Sequence, residues 1–171
     1  LLPWPIGTEF NQPKEFEVTT DPYGIETHES NDELLERDRL FQLLKSSPIP
    51  DDQLLSNLGL YLNSKNLARI LFFDFLFRQI VDVQGVVMEF GTRWGQNMGL
   101  FSALRGIYDP FNRQRKIIGF DTFQGFPKIS PEDGSANFMK PNNMSVVHGY
   151  ADYLSQVLRA HEQLNPLSHL E

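Results

Sequence analysis

The stretch VVMEFGTRWGQNMG, Val86 to Gly99, decides how this chain reads. An apolar run reaches an acidic residue, breaks at a glycine and gives way to polar residues. With Gly85 in front, GVVMEFG is short and continuously apolar, the pattern of a strand buried on both faces. Gly91 and Gly95 punctuate a turn, and Gln96 to Tyr108 reads as a helix. DPFNRQR is a turn, and KIIGFDTF, Lys116 to Phe123, is a second buried strand. Strand, glycine turn, helix and strand open a doubly wound α/β sheet, which binds ligands at the carboxyl ends of its strands.

Three features converge at that edge. Gly91 and Gly95 leave the main chain bare, so a ligand can approach it closely. The following helix aims its N-terminal amides at the same place. Asp121 closes the second strand, where a carboxylate can accept from both hydroxyls of a ribose. Glu89 adds a second carboxylate. A pyrophosphate is repelled by it, whereas a ligand with a positive amino group is attracted. The pattern therefore favours S-adenosylmethionine over a dinucleotide, and G-x-x-x-G is not the dinucleotide fingerprint. The structural alternatives are a ligand-free strand–helix turn for the glycines, a cap or solvated loop residue for Asp121, and an ion pair with Arg93 for Glu89.

Working outward, residues 1–30 carry four prolines and no periodicity, an irregular arm. Ser30 and Glu33 form a capping-box pair ahead of an amphipathic helix to about Lys45. SSPIPDD is a turn, followed by a short helix over Gln53 to Leu58. Ser64 is the candidate cap of a longer helix, Lys65 to about Val83, apolar on nearly all sides and ended by Gly85. After the second strand comes a long loop rich in Gly, Pro, Asn and Ser, of the kind that is either a functional lid or disordered. It includes a strand-like MSVV. Asp152 to Leu164 is a last helix, with Leu154, Val157, Leu158 and His161 on one side and Pro166 beyond it. The expected organisation is an arm (1–30), a helical region (31–84) and the first half of a cofactor-binding α/β domain (85–171).

Composition narrows the classes. The chain has 171 residues, 40% hydrophobic and 22% charged, ordinary for a folded domain. A net charge of -7 without a basic cluster disfavours nucleic acid and anionic membrane. There is no cysteine, hence no disulfide and no thiolate metal site, which fits a reducing compartment. The most apolar run, Ala68 to Val81, is interrupted by Arg69, Asp74 and Arg78 and is too short to span a bilayer. No histidine pair has metal-ligand spacing within one helix. His161 reads as structural, and Glu132 and Asp133 of SPEDGS read as solvated loop residues. The expectation is a cytoplasmic protein.

GVVMEFGTRWGQN followed by IIGFDTFQGFP resembles the macrocin O-methyltransferase family, over about residues 55–165. These are class I S-adenosylmethionine-dependent methyltransferases that act on sugar hydroxyls of natural products. The resemblance implies a Rossmann-like sheet, of which this chain holds the first half behind its N-terminal helices. It implies that Glu89, Gly91 and Gly95 line the methionine end of the cofactor, that Asp121 holds the ribose, that Thr122 and Phe123 flank the adenosine, and that Thr92 and Asn97 also belong to the cofactor site. Where the family has a small hydroxyl residue this chain has Gln96 and Asn97, and an amide can also donate to a carboxylate. The implied partner is a small sugar-bearing acceptor, with a homo-oligomer left open.

Members of the family continue past the equivalent of Glu171 with later strands, a general base and the acidic ligands of a divalent metal such as magnesium. No residue of 1–171 takes those catalytic or metal roles. The chain begins without Met and stops where a third strand is due, so a fragment of a longer protein is expected. Two other functions stay open, a nicotinamide-dependent oxidoreductase on a similar sheet and a non-catalytic Rossmann-like binding module.

Overall fold

The computed structural model describes residues 29–112, 114–134 and 138–164. The expected arm lies outside them except for Glu29 and Ser30, as do His28, His169 and Pro166. The order is α1 (Asn31–Lys45), α2 (Asp51–Leu54), a 3-10 segment (Leu55–Tyr61), α3 (Ser64–Gln79), β1 (Val87–Phe90), α4 (Gln96–Tyr108), β2 (Ile117–Phe120), a 3-10 turn (Pro131–Asp133) and α5 (Tyr150–Leu164). Among the described residues no helix is long and apolar enough to cross a membrane.

α1 begins at the expected capping box. The Ser30 hydroxyl accepts the Glu33 N–H at 3.3 Å, and the Glu33 carboxylate accepts the Ser30 N–H at 2.8 Å. Glu29 ties α1 to the start of α3 through Arg37 at 2.6 Å and Lys65 at 3.0 Å.

α3 departs from expectation at both ends. Its cap is Asn63, whose side-chain oxygen accepts the Asn66 N–H at 2.8 Å, and not Ser64. It stops at Gln79, short of Val83 and Gly85. The reason is Arg115, only 2% exposed, whose Nη2 donates to the carbonyls of Ile80, Val81 and Val83 at 2.9, 3.0 and 2.9 Å. Its Nε donates to Asp109. Carbonyls turned toward a buried guanidinium leave the helical ladder, so the last turn opens.

Nor is α3 buried on most sides. Phe77 is fully buried, whereas Leu71, Phe72 and Phe75 are more than half exposed. One flank packs on α4, through the edge-on pair Phe73–Phe101 at 5.3 Å and the stacked pair Phe77–Tyr108 at 6.4 Å. Asp74 joins the two helices by accepting from Tyr108 and Arg78, each at 2.7 Å.

β1 and β2 pair in parallel, with Val87 opposite Ile117 and Phe90 opposite Phe120. Here too burial on both faces gives way to burial on one. α4 covers the face that carries Gly119, where an added Cβ would lie 2.5 Å from Met98 Sδ and 2.6 Å from Thr92 Oγ1. The other face shows Met88, Phe90 and Phe120 at 53%, 75% and 46% exposure, with the two phenyl rings stacked at 5.0 Å. A two-stranded sheet has only one helix-covered side among the described residues.

α5 starts two residues before the expected Asp152 and lays its apolar side on α4. Leu154 fills the place of a Cβ at Gly95, His161 rests against Gly99, and Glu162 accepts from Arg105. The loop before α5 folds on itself. Phe126 N–H donates to Asn143 at 3.1 Å and Asn142 N–H to Phe126 at 2.9 Å. MSVV forms no strand.

Candidate functional site

The turn from β1 into α4 depends on left-handed backbone. Gly91 and Gly95 have φ of 84° and 73°, and Arg93 between them has 46°. Phe123, beyond β2, has 58°. A left-handed conformation costs a residue with a Cβ roughly 1–2 kcal/mol, so something must hold Arg93 and Phe123 in place. The same carboxylate holds both. Asp121 accepts the Arg93 N–H at 2.8 Å on one oxygen and the Phe123 N–H at 2.6 Å on the other. A carboxylate offers about four acceptor positions, so two remain after the backbone is served.

Two cavities meet at Gly91 and Arg93. The larger, about 540 Å³, lies beyond the strand ends and is walled by Phe90, Phe120, Phe126 and Met144, with Asp121 and Thr122 at its polar side. The smaller, about 220 Å³, sits at the start of α4 and is mostly polar, with Arg69, Glu89, Thr92 and Asn97 in its wall.

In the smaller cavity the side chains form a chain of donors. Arg69 Nη2 donates to Asn97 Oδ1 at 3.0 Å, and Asn97 Nδ2 donates to Glu89 Oε1 at 2.6 Å. Glu89 Oε2 and Thr92 Oγ1 are buried and have no hydrogen-bond partner. Burial raises the Glu89 carboxyl above its ordinary range, against the Asn97 hydrogen bond and the Arg69 charge, which lower it. A buried acceptor without a donor is costly and marks where a donating ligand group is wanted. No side chain caps the N-terminus of α4, leaving its first amides to face the same space.

Most of the expected site residues are brought together. Glu89, Thr92 and Asn97 line the polar cavity, Asp121 and Thr122 the apolar one, and Gly91 both. Gly95 stands apart. It lines neither of these two cavities and is buried, and a Cβ there would lie 2.3 Å from Leu154 Cδ1. Phe123 faces Tyr150, with ring centres 6.4 Å apart. Thr122 spends its hydroxyl on the Gly125 carbonyl at 3.1 Å. Arg69 is the site residue that the sequence reading passed over. Its signal was present as one of the charges breaking the apolar run of α3.

Glu132 and Asp133 lie in the loop, where Asp133 accepts the Ser130 N–H at 2.7 Å. Among the described residues no group of three or more His, Asp or Glu could hold a metal ion.

Comparison with solved structures gives a clear relative. The chain is 43% identical to CalS11, calicheamicin methyltransferase, with a TM-score of 0.78, covering 84% of this chain and 56% of that one. The likeness is to a methyltransferase. An apo structure of CalS11, described as a TDP-rhamnose 3'-O-methyltransferase and an enzyme in calicheamicin biosynthesis, matches at 40% identity and a TM-score of 0.69, covering 84% of this chain and 54% of that one. The chain thus spans just over half the length of CalS11. No protein-family model matches it, and no curated protein does.

Proposed function

We propose that the chain is the cofactor-binding part of an S-adenosylmethionine-dependent O-methyltransferase that acts on a sugar hydroxyl in natural-product biosynthesis. On this reading the sheet is the first half of a class I methyltransferase sheet, of the macrocin O-methyltransferase kind. The observation that carries the proposal is the pair of cavities on either side of Gly91, one apolar and one polar, each with a carboxylate in its wall. The solved relative, a TDP-rhamnose 3'-O-methyltransferase, supports the sugar acceptor.

The residues fit the cofactor. Glu89 Oε2 lacks a donor and an α-amino group supplies one. The two remaining acceptor positions of Asp121 suit the hydroxyls of a ribose. Phe126 and Met144 offer an apolar wall to the base. When bound, S-adenosylmethionine supplies an electrophilic methyl on its sulfonium. The chain's part is to bind and orient. Glu89 and Asp121 fix the two ends of the ligand, so that the methyl points one way. At the Glu89 oxygen that lacks a donor, the polar cavity favours a positively charged donor group of the ligand. The proton acceptor for the sugar hydroxyl and any magnesium ligands are assigned to no described residue.

A dinucleotide fits less well, because its pyrophosphate would lie between Glu89 and Asp121. Calorimetric titration with S-adenosylhomocysteine and with NAD tests the proposal. Binding of the first and not the second is expected, and binding of NAD alone overturns it.

A further inference from the structure

We infer that Arg69, on α3, is the carboxylate receptor for the amino-acid end of the cofactor, so that the helix ahead of the sheet is part of the binding site. The inference rests on the methyltransferase reading and adds a residue to it.

The polar cavity has charges of opposite sign in its wall. Glu89, with Oε2 buried and without a donor, stands on β1. Arg69 stands on α3, and Asn97 joins the two by accepting from Arg69 at 3.0 Å and donating to Glu89 at 2.6 Å. The guanidinium and the carboxylate are therefore held apart by one amide instead of neutralising each other. A cavity with a fixed cation and a fixed anion one amide apart complements a zwitterion. The α-amino acid end of the cofactor is one, with its ammonium and carboxylate on a single carbon.

Arg69 is placed to serve. The hydrogen bond to Asn97 uses one of its five N–H donors. Its guanidinium also lies over the Phe73 ring at 5.7 Å, which steadies its plane. A planar fork suits two-point capture of a carboxylate. Arg93 is the other cation of this wall. It also borders the apolar cavity, and its guanidinium lies over Trp94 at 5.6 Å.

The test compares two ligands, S-adenosylhomocysteine and its decarboxylated analogue, which keeps the amino group. Affinities are measured by calorimetry for the wild-type protein, Arg69→Gln, Arg69→Lys and Arg93→Gln, with melting temperatures as a check on folding. The wild type is expected to prefer the carboxylate-bearing ligand by about 10- to 100-fold. Arg69→Gln is expected to reduce that preference to within about threefold, chiefly by weakening S-adenosylhomocysteine. Arg69→Lys should keep part of it, and Arg93→Gln most of it. Four results overturn the inference. They are an unchanged preference in Arg69→Gln, equal weakening of both ligands (a structural role through Asn97), loss of the preference in Arg93→Gln alone, or a wild type that binds both ligands equally. Failure of the wild type to bind either overturns the methyltransferase reading as well.

Discussion

Replacing Asp121 with alanine removes an acceptor that two strained residues share, Arg93 and Phe123. Both amides then turn to water while the left-handed conformations remain. The loss expected is about 1–3 kcal/mol of stability, from charge-assisted bonds partly replaced by hydration. The ribose contacts go too, so cofactor affinity should fall by about 2–4 kcal/mol, on the order of 30- to 1000-fold. Asp121→Asn keeps one acceptor oxygen and should lose less of both. Melting temperature and calorimetric affinity on the same two variants check this, and a stability loss with unchanged affinity would reduce Asp121 to a backbone clamp. Glu89 gives a pH dependence with the opposite sign to the usual carboxylate. Burial raises it, so the folded chain holds its proton more firmly than the unfolded chain does. Stability is therefore lost as pH rises from the ordinary glutamate range through the raised value. Over the same window the ionised carboxylate gains affinity for an ammonium. Melting curves against pH should show that decline in the ligand-free wild type and not in Glu89→Gln.

At the scale of elements, two glycines carry different burdens. A Cβ at Gly95 would strike the tip of the Leu154 side chain, which can turn aside, so Gly95→Ala should cost about 1–2 kcal/mol, mostly for its φ of 73°. A Cβ at Gly125 would lie 2.0 Å from the Asn143 carbonyl oxygen, which is backbone and hydrogen-bonded to Phe126. Gly125→Ala adds that collision to the same conformational cost and should lose about 2–5 kcal/mol. Denaturant unfolding of the two variants checks the order, and a larger loss at Gly95 would mean that α5 is held more rigidly than Leu154 implies. The elements legible in the sequence were those set by neighbours. The Ser30–Glu33 box announced α1, and α4 ran from Gln96 to Tyr108 as expected, behind the Gly95 turn. What could not be read was set from a distance. Arg115 meets the end of α3 from more than thirty residues away, and Leu154 packs onto Gly95 from α5. In the site, Glu89 and Asp121 stood out because carboxylates at strand ends are locally conspicuous. Arg69 did not, because its relation to Asn97 exists only once α3 packs beside α4.

Across the whole molecule, the buried guanidinium of Arg115 binds the pieces. It donates to carbonyls at the end of α3 and to the side chain of Asp109 after α4, while the main-chain carbonyl of Arg115 accepts from Arg105 at 3.1 Å. Arg105 in turn meets Glu162 of α5. The ends of α3 and α4 and the approach to β2 thus meet at one cation, and a second, Arg105, carries the link on to α5. Its place in the chain sets an order of arrival during synthesis. Arg115 leaves the ribosome 32 to 35 residues after the carbonyls it will bind. At roughly 5–20 residues per second that is a wait of about 2–7 s. Through that interval the nascent chain carries a helix whose end is undecided, and behind it a strand with no neighbour. Both are resolved by one short delivery, since β2 begins two residues after Arg115. The segment that tells α3 where to stop is also the segment that brings β1 its partner.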